Sequence, residues 1–197
     1  MKNNCSNFLM TLVLVLVSTS LVNARVDNKP DSLKVCAVVN DFYNWYLKVI
    51  KDKKYSDYQP QFVEDKDGRT SLDFSEYIKN LRNHCFSDSL IQREILSYQE
   101  CIDNLKNIKY SDFKNKFTDL DDFERTKCDF TNYYRWIGGQ EACDGIKIRK
   151  VQFKNDKNVV VTIEKFDFDP KEDKYYYWGS RTLTLKKIHN HWEIDDI

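Results

Sequence analysis

Few side chains in this sequence combine the types and spacings that catalysis or metal binding requires. The best-spaced acidic set is Asp65, Asp67, Asp73 and Glu76, at positions 1, 3, 9 and 12 of a calcium-type loop. The glycine such a loop needs at its sixth position stands two places early, as Gly68, and Arg69 takes a ligand position, which argues against calcium. His189 and His191 flank one turn residue without a third ligand at metal-site spacing, and a turn histidine pair is ordinarily exposed. Acid–base candidates are Glu164 and Asp167 on one expected strand and Tyr175, Tyr176 and Tyr177 on the next. Glu164 follows Ile163, so it belongs on the opposite face of its strand and reads as an outward, solvated carboxylate. There is no G-x-S-x-G nucleophile signature, and Gly138-Gly139 lacks the G-x-G-x-x-G pattern of a phosphate loop. No catalytic residue, metal ligand or cofactor is therefore expected.

The most concentrated signal is residues 133–141. Tyr133, Tyr134, Trp136 and Ile137 stand beside two glycines and a polar pair, Gln140 and Glu141. One reading is a recognition loop, in which aromatic anchors and adaptable polar groups meet a partner. The other is packing: Trp136 and Ile137 plug the end of the fold while the glycines let the backbone turn into the first strand. Loop aromatics commonly pack, which weights the second reading.

Elements of two kinds must position these residues. Cys36, Val39, Phe42, Tyr43, Tyr46, Leu47 and Ile50 recur at spacings of three and four, which predicts a helix over 32–50 with an aromatic face that Trp45 widens. Residues 58–72 read as a small hairpin, extended over 61–64, turning at Asp67-Gly68 and returning over 69–72. Asp73-Phe74-Ser75-Glu76 starts a second helix, and Ser87 caps a third, expected to run to about residue 106. Residues 107–127 predict one short irregular helix. From Asp144 the period changes to two, giving four antiparallel strands with a slip between Ile148 and Val151 and a bend at Gly179. Helices followed by a meander make an α+β domain over 25–197.

Residues 1–24 predict a secretory signal peptide: Lys2, an apolar run over 8–17, then Val22 and Ala24 ahead of Arg25. The run is too short to span a bilayer, and no cysteine stands at the cleavage point to carry a lipid. Neither a membrane span nor a lipid anchor is expected. Charges balance, with 31 basic against 31 acidic residues, so nothing favours nucleic acid. The absence of an N-x-[ST] sequon after residue 24 leans towards a bacterial envelope or exterior.

The chain resembles secreted bacterial proteins of the domain-of-unknown-function family 3828, which belong to the nuclear-transport-factor-2-like fold class. The likeness is carried by Phe42-Tyr43-Asn44-Trp45-Tyr46-Leu47, by Leu72-Asp73 and by Cys101. It continues in Cys128-Asp129-Phe130, in Tyr134-Arg135-Trp136-Ile137-Gly138-Gly139-Gln140-Glu141 and in the closing Trp192-Glu193-Ile194-Asp195-Asp196-Ile197. It spans roughly residues 34–197. The resemblance implies a curved sheet wrapped as a cone around the first helix, and no activity. On these grounds the expected function is a non-catalytic binding module of the periplasm or exterior, taking a protein or small-molecule ligand. Alternatives are an inhibitor or immunity-type protein against an envelope-targeted enzyme and, last, a small-molecule enzyme using the cone.

Five cysteines follow residue 24. Cys85 and Cys101 bracket the third helix and would lie roughly 20–24 Å apart if it is continuous, well beyond the about 7 Å that a disulfide tolerates. Cys36 is expected as a buried free thiol. That leaves Cys101–Cys128 as the expected bridge, with Cys128–Cys143 as its rival. Exported protein should begin at Arg25 without a lipid. Intact-mass analysis checks this, and an uncleaved or acylated N-terminus would sink it.

Overall fold

The computed structural model describes residues 29–197; the expected signal peptide lies outside them. Internal contacts divide the chain at residues 33 and 34, and the unit from 34 to 197 is the one described here. Among the described residues are seven helices, a two-stranded hairpin and a four-stranded antiparallel sheet, an α+β arrangement. No helix among them is long and apolar enough to cross a membrane.

Helix α1 (Lys29–Lys51) begins three residues earlier than its sequence suggests, with Pro30 in its first turn, where a missing N–H costs nothing. From residue 34 onwards its buried stripe is Val35, Val39, Phe42, Tyr43, Tyr46, Val49 and Ile50. Cys36, expected on that stripe, is only half-buried, and Val35 takes the core position. The stripe therefore runs one residue out of phase at its start. A single-turn helix α2 (Tyr55–Tyr58) follows, and then the hairpin β1 (Gln61–Glu64) and β2 (Thr70–Asp73).

Helix α3 (Ser75–Asn83) leads into α4 (Asp88–Ser97) through residues 84–87. Ser87 caps α4 by accepting from the Leu90 N–H at 3.1 Å. The helix expected to continue to residue 106 stops at Tyr98, and α5 (Gln99–Leu105) restarts in a new direction of burial. Two bonds mark the break: Ser97 Oγ donates back to the Glu94 carbonyl at 2.7 Å, and the Tyr98 N–H reaches the Ile95 carbonyl instead of Glu94. Residues 107–127 hold two helices instead of one, α6 (Tyr110–Lys116) and α7 (Leu120–Arg125). Asp119 separates them because its carboxylate caps α7 through the Asp122 N–H.

The sheet runs β3 (Gly145–Phe153), β4 (Asn158–Asp169), β5 (Lys174–Ile188) and β6 (His191–Asp196), in that order. A bulge leaves Arg149 unpaired between Ile148 and Lys150, at the expected slip. Gly179, at φ +61°, is the extra residue of a second bulge opposite Glu164 and Lys165. His189 and Asn190 both adopt positive φ and close the tight β5–β6 turn. Residues 85–87 then pair with the free side of β6: the Ser87 N–H bonds the Ile194 carbonyl at 2.9 Å, and the Ile194 N–H bonds the Cys85 carbonyl at 2.7 Å.

Two apolar clusters result. The larger joins the α1 stripe, α3 and α4 to the inward residues of the sheet, among them Val161, Ile163, Leu183, Leu185, Trp192 and Ile194. The smaller lies between the hairpin and α5–α7, with Phe62, Phe113, Phe123 and Phe130 around Cys101 and Cys128. Those two cysteines, paired in expectation, sit at disulfide distance, with sulfurs 2.06 Å apart. Tyr98 links the clusters, its ring edge-on to Phe74 at 5.3 Å and to Phe130 at 5.1 Å.

Tyr46 is fully buried while Trp45 is half-buried and stacked on His84. Tyr46→Ala should therefore cost about 3–5 kcal/mol of stability, and Trp45→Ala clearly less. Urea denaturation of both variants measures the order, and equal small losses would refute the packing of α1.

Candidate functional site

The backbone of residues 134–139 closes on itself. The Tyr134 N–H bonds the Gly139 carbonyl and the Gly138 N–H bonds the Tyr134 carbonyl, both at 2.8 Å. Two tyrosines of α1 then hold this loop by the two backbone polar atoms of one residue, Trp136. Tyr43 donates its hydroxyl to the Trp136 carbonyl at 3.1 Å, and Tyr46 accepts from the Trp136 N–H at 3.4 Å. Burial pushes the titration of both phenols well above the ordinary tyrosine range, so both stay neutral.

That clamp sorts the expected recognition residues by direction. Trp136 and Ile137 point inward and are buried. Tyr134 is half-buried, whereas Tyr133, Gln140 and Glu141 are exposed. Gly138, at φ +72°, has a further role. A Cβ there would fall 1.6 Å from Nη1 of Arg181, so only glycine admits that guanidinium.

Beside the loop lies a polar cluster that sequence reading overlooked. Glu94, on α4, is 1% exposed. One of its carboxylate oxygens accepts from the hydroxyls of Tyr77 and Tyr98, each at 2.9 Å, and the other from Nε of Arg135 at 2.9 Å. Three donors on one buried carboxylate satisfy most of its lone pairs and offset its desolvation. Burial raises the titration of both tyrosines well above normal, with the Glu94 charge reinforcing it. The available signal was local: Glu94 stands at i+4 from Leu90 and i+3 from Ile91, on the inward stripe of α4.

Two cavities open on either side of Tyr133 and Arg135, which line both. One, of about 300 Å³, is bounded also by Tyr98, Lys127, Asp129 and Phe130. The other, of about 270 Å³, is bounded also by Arg93, Glu94, Trp136, Arg181 and Asp196. The Arg135 guanidinium lies over the Trp136 ring at 5.8 Å.

The remaining candidates from sequence are engaged elsewhere. Glu164 pairs with Arg149 on the outer face of the sheet. Asp167 accepts from the Trp178 indole N–H at 2.7 Å. Tyr175, Tyr176 and Tyr177 are 40 to 52% exposed. Asp65 accepts from the backbone of Asp67 and Arg69, and Asp73 accepts from Ser75, so both close local turns. No cluster of His, Cys, Asp or Glu among the described residues could hold a metal ion. Cys143 borders a cavity of about 430 Å³ with Lys48 and Asp144, but burial, with Asp167 adding to it, pushes its thiol up to about 11. It is therefore protonated, and weakly nucleophilic, at neutral pH.

Among protein-family models, curated proteins and solved structures, none matches this chain. The site is read on its own geometry.

Removing the Glu94 carboxylate leaves two buried hydroxyls and a partly covered guanidinium without their acceptor. Glu94→Ala should cost about 3–5 kcal/mol, and Glu94→Gln less, since its amide oxygen still accepts from the tyrosines. Chemical denaturation of the two variants tests this ranking.

Proposed function

We propose that this chain is a non-catalytic binding module of the bacterial envelope or exterior, with the loop of residues 133–141 as its recognition surface. The reading extends to membership of the domain-of-unknown-function family 3828 and to a nuclear-transport-factor-2-like cone, for which the order of helices before a bulged four-stranded meander is the support. One observation carries the functional part: the loop is tied to α1 through both backbone polar atoms of Trp136, yet displays Tyr133, Gln140 and Glu141 to solvent. A loop held in one conformation before contact loses little entropy on binding. Exposed tyrosine beside amide and carboxylate groups is the composition of adaptable recognition surfaces. The titratable groups nearest the loop serve structure: Glu94 is fully engaged by donors, which leaves it little capacity for proton transfer.

The test is retention of species from a bacterial envelope extract on immobilised protein, compared with the triple variant Tyr133→Ala, Gln140→Ala, Glu141→Ala. These side chains are exposed, so the fold should persist. A species held by the parent and lost by the variant is the expected outcome. Equal retention by both would overturn the assignment of the loop.

A further inference from the structure

We infer that the cavity between α4, the loop and the β5–β6 end of the sheet is a site for an oxyanion, a carboxylate or phosphate group carried on a small molecule. The inference deepens the binding reading above and rests on it for biological meaning, though not for its chemistry. Three guanidinium groups from three separate elements reach this cavity: Arg93 from α4, Arg135 from the loop and Arg181 from β5. Their pairing differs. Arg135 is committed to Glu94, and Arg93 donates through Nη2 to the Asp195 carbonyl. Arg181 has no carboxylate within ion-pair distance among the described residues, and its guanidinium fits the space beside Gly138 that any side chain would fill. Glu94 is already held by Arg135, so Arg181 is the guanidinium of this lining left to receive an anion.

Trp136 forms part of the wall, is 3% exposed, and its indole N–H is buried without an acceptor in the structure. The Trp192 indole N–H is a second such orphan, so the Trp136 signal serves as a reporter on the cavity wall. A planar guanidinium fork suits a carboxylate or a phosphate in paired contacts, which a lysine would not offer. The volume, about 270 Å³, lies at the small end of ligand sites. It suits a charged head group, with the neighbouring cavity past Tyr133, of mixed polar and aromatic lining, left for the remainder of the molecule.

The experiment uses the full exported chain, with side-chain N–H signals of Trp136 and Arg181 followed by NMR. Inorganic phosphate and acetate are titrated separately against sodium chloride at matched ionic strength, which distinguishes phosphoryl from carboxylate preference. A saturable shift at both signals with at least one oxyanion, and none with chloride, is expected. Arg181→Gln should weaken that binding by about tenfold or more, the loss of one charge-assisted paired contact. Lys127→Gln, which alters only the adjacent cavity, should leave it within about twofold. Should Arg181→Gln fail to fold, Arg93→Gln supplies the same comparison. Shifts equal to those in chloride, or a loss with Lys127→Gln as large as with Arg181→Gln, would overturn the site as non-specific attraction. Failure here with loop-dependent retention intact would leave the recognition surface standing and remove only the oxyanion.

Discussion

Everything near the loop depends on a constraint set by α1. Its core stripe carries tyrosines, whose rings belong in an apolar interior but whose hydroxyls do not. A buried hydroxyl without a partner costs about 1–3 kcal/mol, so the rest of the chain must bring polar atoms to two points inside the core. The backbone of Trp136 meets both demands, its C=O accepting from Tyr43 and its N–H donating to Tyr46. These two atoms belong to the successive peptide planes on either side of the Trp136 Cα, so the loop is held on both sides of that residue. Trp136 and Ile137 can then fill space against Phe42 and Phe86 while Arg135 is carried to Glu94. Tyr77 of α3 and Tyr98, just past the end of α4, obey the same rule with a carboxylate in place of backbone atoms.

The break at Tyr98 divides the helical layer between two cores. A continuous helix would have aimed Cys101 and Leu105 along the same line as Leu90 and Ile91. Restarting at Gln99 turns them into the smaller cluster, where Cys101 meets Cys128. Bridging residues 27 apart restricts the unfolded chain and, in the chain-entropy account, contributes about 3–4 kcal/mol. That cluster is small and ring-rich, with Phe62 stacked on Phe130 at 5.4 Å, so a covalent tie compensates for limited apolar burial.

Elements whose signal is periodic were legible in the sequence, and those whose signal is a distant partner were not. The α1 face was readable from spacing, apart from two shifts, Val35 taking the core position expected of Cys36 and Val49 that expected of Leu47. The β3 bulge was visible because alternation slips between Ile148 and Val151. The cysteine pair followed from elimination, although the elimination assumed a continuous helix that the structure breaks. The division at Asp119 was masked because aspartates crowd residues 119–122, and composition alone does not say which one caps. Glu94 was missed for a different reason. Its place on the inward stripe was the one local signal, while its partners Tyr77 and Arg135 lie 17 and 41 residues away, out of sight of any local pattern. Arg181 is the same case, since its place depends on a glycine in another element.

The pairing of residues 85–87 with β6 has a consequence for how copies of this chain meet. A sheet of four strands has two open flanks, each a template on which another strand can grow. Here one flank is sealed by the chain itself, along the bonds between Ile194 and its neighbours Cys85 and Ser87. The opposite flank is β3, which bulges at Arg149 and presents Lys147, Arg149 and Lys150 to water. An approaching strand would have to bury those cations against a kinked backbone. The sheet thus offers fibril growth no straight, uncharged border, and crowding at high concentration should leave it unpolymerised.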